Sequence, residues 1–369
     1  MLEIVCFTGN SGLTDYAVSL ARAFGSCSRL LTSSTLPERF RNMGFEVLTP
    51  FRRSRHYPFD LFLFVHGTLA RKPDFSLWQG PLKFPLLDGI AARFLRFCGT
   101  RCAVTVHDVL PHYPRPWSGF VFGFYYRSFE RVVVHSQFAL EGVRALGVSA
   151  PILVIPHGVY DLFQLSGIGR DGARERLPGL RDKKDSIAVL FFGHLETRKG
   201  LFEFLEVARR LQGEDRFIFM ISGGSSLNGV DERRLRSASM ALGNVVLDIR
   251  RIPFEEVEYH FSACDIVALP YQEGTTSGVL KLSIAFGKPV VASAVGDLQE
   301  EIPIQAGICV SLGDDFVGRF ADAICEVASD LDRWSNGMRG AGERLNWSRI
   351  SDEIGAFLQV SFKGDAENA

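Results

Sequence analysis

Two kinds of hydrophobic pattern alternate along the chain. Short unbroken apolar runs occur at residues 4–7, 61–65, 102–106, 132–134 and 152–155. Between them, apolar positions recur every three or four residues, as in Tyr16, Ala17, Leu20, Ala21 and Phe24. The runs predict buried strands and the three-to-four spacing predicts helices. A second series has runs at 188–192, 217–222, 245–247, 266–269, 289–292 and 307–310, with a helix over about 201–211. Residues 166–185 are instead rich in Gly, Arg, Lys and Asp. They read as a linker holding one short helix near 173–176. Strands that are apolar on both sides, separated by helices, belong to parallel sheets covered on both faces. The fold class is therefore α/β, with two doubly wound, Rossmann-like domains. They span 1–165 and 186–345, and residues 346–369 form a closing helix and tail. Ligands of such sheets bind beyond the carboxyl ends of the strands, so a cleft between two facing domains is the expected site.

Composition narrows the reading. The chain has 369 residues, 46% hydrophobic and 22% charged, which is ordinary for a folded protein. No apolar run is long enough to span a bilayer, and the first residues lack signal-peptide character. Seven scattered cysteines without a CxxC pair fit a reducing, cytoplasmic setting. The net charge of −1 hides an asymmetry. Residues 1–150 carry 17 Lys+Arg against 10 Asp+Glu. The same half holds aromatic-basic segments such as 51–55, 92–97 and 120–127. That mixture suits peripheral contact with an anionic membrane surface, at the inner face of the cell membrane, or a lipid-phosphate substrate. No nucleic-acid-binding module accompanies the charge, so nucleic acid is not an expected partner.

Candidate chemistry lies after the predicted strands. Gly9-Asn10-Ser11-Gly12 is a strand-to-helix glycine turn that lacks the third glycine of a dinucleotide fingerprint. His107-Asp108 follows the 102–106 run, where a histidine can donate a hydrogen bond or carry a proton. His66 follows the 61–65 run as a weaker copy. In the second series, Gly193-His194 leads to Lys199-Gly200 just before a helix. A fixed cation at that place suits a diphosphate. Ser222-Gly223-Gly224 is another strand-end glycine loop, where backbone can approach a nucleotide closely. Glu273 and the turn Gly274-Thr275-Thr276-Ser277-Gly278-Val279-Leu280-Lys281 follow the 266–269 run. Free amides at a helix start attract an anion, and Glu273 stands beside them for hydroxyl groups.

Taken together these segments resemble the large group 1 family of retaining, nucleotide-sugar-dependent glycosyltransferases with the GT-B fold. The resemblance rests on Thr105-Val106-His107-Asp108, Val133-Val134-His135-Ser136, Ile155-Pro156-His157-Gly158-Val159 and Gly193 through Gly200. It extends to Glu273 through Lys281, Gly287-Lys288-Pro289-Val290 and Trp347-Ser348-Arg349-Ile350. It implies an acceptor-binding N-terminal domain, a donor-binding C-terminal domain and a last helix that crosses back to the first. It also implies His107, Lys199 and Glu273 as the catalytic set. Gly12, Gly193, His194, Gly223, Thr276, Ser277, Gly278, Val279 and Lys281 fall on the donor side, and Asn10, His66 and Asp108 on the acceptor side.

Two positions depart from the family pattern. His194 stands where the family has a phosphate-binding Arg. Lys281 stands where the second Glu of a paired-Glu motif would hold the donor ribose. Lysine has no acceptor for ribose hydroxyls. The nucleotide is then held differently, or Lys281 meets a negative group on the donor, or Lys281 points to solvent and Ser277 with backbone amides carries the load. The segment Thr276-Ser277-Gly278-Val279 itself resembles a branch of the family without the second Glu. The expected reaction is retaining transfer of a sugar from a nucleotide-diphosphate sugar to a saccharide or lipid-linked saccharide, in bacterial surface polysaccharide assembly. The donor is a co-substrate, and neither cofactor nor metal is expected because fixed cations can take the metal's part. Two rival readings share the fold: a silent subunit that supports a partner transferase, and a nucleotide-sugar epimerase.

Overall fold

The computed structural model describes residues 1–52, 54–111, 114–273, 277–296 and 298–360. The described chain divides into two compact units, one made of Met1–Gly158 together with residues 345–360, the other of Val159–Arg344. In the first unit β1 (Leu2–Val5), α1 (Gly12–Phe24), β2 (Ser28–Ser33) and β3 (Glu46–Phe51) come first. Then follow α2 (Tyr57–Arg71), β4 (Phe75–Gln79), α3 (Pro85–Phe97), β5 (Cys102–Val106), α4 (Ser118–Tyr126), β6 (Arg131–Val134), α5 (Gln137–Ala145) and β7 (Ile152–Val154). All seven strands are parallel, in the order β3-β2-β1-β4-β5-β6-β7. The order reverses between β1 and β4, which is where a doubly wound sheet opens a crevice at its strand ends.

The second unit begins with α6 (Arg170–Arg176), β8 (Ile187–Phe192), α7 (Leu201–Arg210), β9 (Phe217–Ser222), α8 (Gly229–Ala241) and β10 (Val245–Asp248). It continues with α9 (Phe254–Ala263), β11 (Ile266–Leu269), α10 (Gly278–Ala285), β12 (Val290–Ser293), α11 (Leu298–Glu301), β13 (Gly307–Val310), α12 (Phe316–Ser329) and α13 (Leu331–Arg344). Its six parallel strands run β10-β9-β8-β11-β12-β13, and the order reverses between β8 and β11. The last helix, α14 (Trp347–Leu358), packs on α1 within the first unit.

The structure departs from the sequence reading in three places. The 61–65 run belongs to α2, not to a strand. Its buried Tyr57, Leu61, Phe64 and Thr68 recur at helical spacing, and a five-residue run alone cannot distinguish the two. His66 is accordingly on a helix, stacked on Phe62 at 6.4 Å between ring centroids, and has lost the strand-end position that singled it out.

The apolar-run reading also misses β2, β3 and β4. β4 buries Ser76 and Gln79 beside its apolar residues, and β3 is an edge strand carrying Pro50.

Finally, 166–185 is no loose linker. The Glu258 carboxylate accepts hydrogen bonds from the Ser166 and Gly167 amides, and the fully buried Arg174 pairs with Asp265 at 2.7 Å. Asp265 in turn accepts from the Ala188 amide at the start of β8. Polar residues here serve as buried anchors, which composition alone reads as a solvated loop.

Candidate functional site

Each unit carries a cluster of the expected residues at its strand ends. In the first, Ser11 caps α1 by accepting from the Thr14 amide, so the helix begins at Gly12 with Asn10 exposed just before it. A Cβ at Gly9 would meet the Thr35 hydroxyl oxygen at 2.5 Å, which explains a glycine there. His107, directly after β5, shares a 3.2 Å hydrogen bond with the Gln79 side chain at the end of β4. The amide nitrogen of Gln79 has no partner among the described residues. Asp108 is exposed.

The sequence reading missed what surrounds His107. Tyr16 of α1, fully buried, lies edge-on to His107 at 4.7 Å and to His157 at 4.9 Å, and is tilted against His135 at 5.2 Å. Trp347 of α14 closes on Tyr16 from 4.9 Å. The clue was available, since His107, His135 and His157 each follow one of three neighbouring strands, β5, β6 and β7. Desolvation among these rings, and then the neighbouring His135, push the His107 imidazole well below its ordinary 6.5. A neutral imidazole can donate or accept a hydrogen bond without introducing charge.

The second cluster flanks the reversal between β8 and β11. Gly193 ends β8 with φ 107°, and Gly223 ends β9 with φ 151°. A Cβ at Gly223 would fall 1.7 Å from the Gly193 carbonyl oxygen, so the two loops touch through backbone alone. Gly200, at φ 70°, comes equally close to the Pro270 carbonyl. The Arg198 carbonyl accepts from the amides of Gln272 and Glu273, tying the Lys199 turn to the Glu273 loop. Lys199 lies over the Tyr271 ring at 5.9 Å, with its ammonium nitrogen 3.7 Å from where a Gly193 Cβ would be.

Partial burial pushes the Lys199 pKa down, and nearby Glu196 pulls against that shift. Yet Glu196 is engaged by Arg198 at 2.5 Å, and among the described residues Lys199 has no carboxylate within salt-bridge range. His194 is half exposed, 3.9 Å from Glu196. The Tyr271 hydroxyl shares a 3.2 Å hydrogen bond with Ser277. Ser277 caps α10 by accepting from the Leu280 amide, and Gly278 and Val279 form the first turn. Glu273 is exposed, and Thr276 lies outside the described residues.

Of the alternatives for Lys281, the structure overturns solvent exposure. It is 6% exposed, so it does not point to solvent, and its ammonium donates to Glu301 Oε1 of α11 at 2.8 Å. A charge that cannot be left bare in a partly buried place has acquired a partner 20 residues on. Sequence gave no sign of that partner. Among the described residues, no group of three or more His, Cys, Asp and Glu is placed to hold a metal ion.

Comparison with known proteins decides the family. Residues 186–330 match the model described as glycosyl transferases group 1, and residues 11–158 match a glycosyl transferase 4-like domain. The chain belongs to the group 1 glycosyltransferases. Among curated proteins, the D-inositol 3-phosphate glycosyltransferase of Geodermatophilus obscurus is 30% identical over 212 residues, covering 55% of this chain and 46% of that protein. The enzyme of the same name from Stackebrandtia nassauensis is 28% identical over 49% of this chain and 43% of that one. The matched stretch thus spans less than half the length of either relative.

Solved structures share the GT-B fold over nearly the whole chain. Anabaena HepE in complex with UDP aligns over 98% of this chain and 100% of its own, at 17% identity and a TM-score of 0.71. A glycosyltransferase from Rickettsia africae aligns over 98% of both chains, at 17% identity and a TM-score of 0.73.

Proposed function

We propose that this group 1 glycosyltransferase moves a sugar from a nucleotide-diphosphate sugar to a saccharide or lipid-linked saccharide acceptor. The observation that carries the reading is Lys199. It is a partly desolvated cation without an ion-pair partner among the described residues, beside two close-packed glycine loops and the capped start of α10. Such a group gains most from an anion that replaces its lost hydration. A diphosphate leaving group is that anion, and a preorganised cation stabilises charge as it develops.

In this scheme Lys199 and the first amides of α10 hold the diphosphate, with His194 at its edge. Glu273 orients hydroxyls of the donor sugar, and neutral His107 hydrogen-bonds sugar without a charge penalty. Transfer proceeds with retention as the leaving phosphate takes the acceptor's proton on the same face. Fixed cations serve in place of a metal. HepE, which shares the fold, has been solved with UDP-glucose, so UDP-sugars are the first donors to try. The setting we favour is the cytoplasmic face of a bacterial membrane, in surface polysaccharide assembly. Among the described residues no helix is long and apolar enough to cross a membrane.

The test is donor turnover across a panel of nucleotide sugars, with Glu273→Ala beside the wild type. Loss of turnover with nucleotide binding retained supports the assignment, and near-full activity of Glu273→Ala overturns it. Nucleotide binding by the wild type without hydrolysis or transfer of any donor would instead favour the silent subunit. The Lys281–Glu301 pair favours that second reading, since it gives the Lys281 ammonium a partner within the protein.

A further inference from the structure

Three helices of the first unit carry more apolar surface outward than the core requires. α2, α3 and α4 bury one face each in the same cluster, through Leu61 and Phe64, Ala92 and Leu95, and Tyr125 and Tyr126. α3 packs against both its neighbours, so their outward faces lie side by side. Those faces expose Phe59 and Phe62 of α2, Ile90, Phe94 and Phe97 of α3, and Phe120 of α4, each at least half exposed. Eleven of the 18 large apolar side chains exposed among the described residues lie on these three helices and the residues that cap them. Elsewhere in the molecule helices turn paired charges outward, as in Arg209–Glu206 of α7 and Arg236–Glu232 of α8. Exposed apolar patches of this extent mark interaction surfaces.

Charge selects the partner. α2 and α3 contain one acidic residue each, and both are wholly buried: Asp60 is taken by Arg52, and Asp88 by the Tyr57 hydroxyl and the Lys83 amide. α4 has no charged residue. Arg93 and Arg96 on α3 are exposed and bond only to neutral groups, the Ser128 hydroxyl and carbonyl. The face therefore offers rings and guanidinium groups and no exposed carboxylate on its three helices. A second copy docked by two-fold symmetry would set arginine against arginine. An anionic bilayer surface accepts both components, the rings at the acyl boundary and the guanidiniums at lipid phosphate.

We infer that the α2–α3–α4 face docks the first unit on an anionic lipid surface. The inference rests on the transferase reading only in placing a lipid-linked acceptor at that surface. Vesicle binding is measured without donor, so the two can fail separately.

The experiment is co-flotation with vesicles of phosphatidylcholine alone or mixed with phosphatidylglycerol. Wild-type protein should float with the mixed vesicles and not with the neutral ones, and salt should weaken binding. Phe94→Glu combined with Phe97→Glu alters only exposed positions and should cut binding at least about tenfold. An unchanged melting temperature would show the variant folded. Ile304→Glu, an exposed apolar site of the second unit, should bind like wild type. Failure of the wild type to float with anionic vesicles overturns the inference. So does equal binding by the double variant, or a concentration-dependent dimer that the double variant abolishes.

Discussion

His107 and Lys199 both lie in loops that leave the carboxyl end of a parallel strand, yet their surroundings treat charge in opposite ways. Around His107 are Tyr16, His135 and His157, with Trp347 behind Tyr16 and His157, rings that strip water away and supply no counter-charge. The imidazole is kept neutral. Around Lys199 desolvation is only partial, Glu196 lies near, and glycine loops pack close. The first place suits uncharged hydroxyl groups; the second is short of an anion. One fold used twice thus gives two electrostatic settings, set by the residues around each strand end.

The largest effect that would break this comparison is expected at Lys199. Lys199→Met should lower donor turnover by about 100- to 1,000-fold, as for loss of one preorganised group at a developing charge. Its stability should not fall. The lysine pKa is depressed in the folded state, so at neutral pH the charged group works against folding, and its penalty disappears only above the unfolded value near 10.5. A melting temperature that drops in Lys199→Met would make the lysine structural and end the comparison.

A smaller effect is expected at Lys281, which belongs to the same unit but is already paired. Lys281→Ala strands Glu301 in a partly buried place and should cost about 1–3 kcal/mol in urea unfolding. Nucleotide affinity of the folded variant should stay within about twofold of wild type. A large loss of affinity with stability intact would place Lys281 on the donor after all.

The smallest effect concerns His107 and pH. Its folded pKa lies below the unfolded 6.5, so its contribution to stability is complete above about 6.5 and is lost as pH falls through the window below that value. Melting temperatures from neutral to mildly acidic pH should fall more steeply for wild type than for His107→Asn. Parallel slopes would show that another group carries the acid sensitivity.

The sequence told most where one residue type had one physical meaning. Gly193, Gly200 and Gly223 mark backbone turns that no side chain fits, and the loops they form are those expected. Unbroken apolar runs located β1, β5, β6 and β7 and the whole second sheet. It told least where partners are remote in the chain. The Arg174–Asp265 pair spans 91 residues and turns a supposed linker into a fixed part of the second unit. The Lys281–Glu301 pair gives a conspicuous substitution a partner that lies 20 residues on. Periodicity failed at 61–65, where five apolar residues fit a helix as well as a strand.

Trp347 gives the first crevice a property of time as well as shape. A ribosome delivers residues 1–158 first, then all of Val159–Arg344, and only then the tryptophan that closes on Tyr16 and lies against Gly158. During synthesis the first unit waits with a gap beside Tyr16. The side chain that fills it is a late-arriving latch, and a chain stopped after the second unit would lack the finished wall around the histidines.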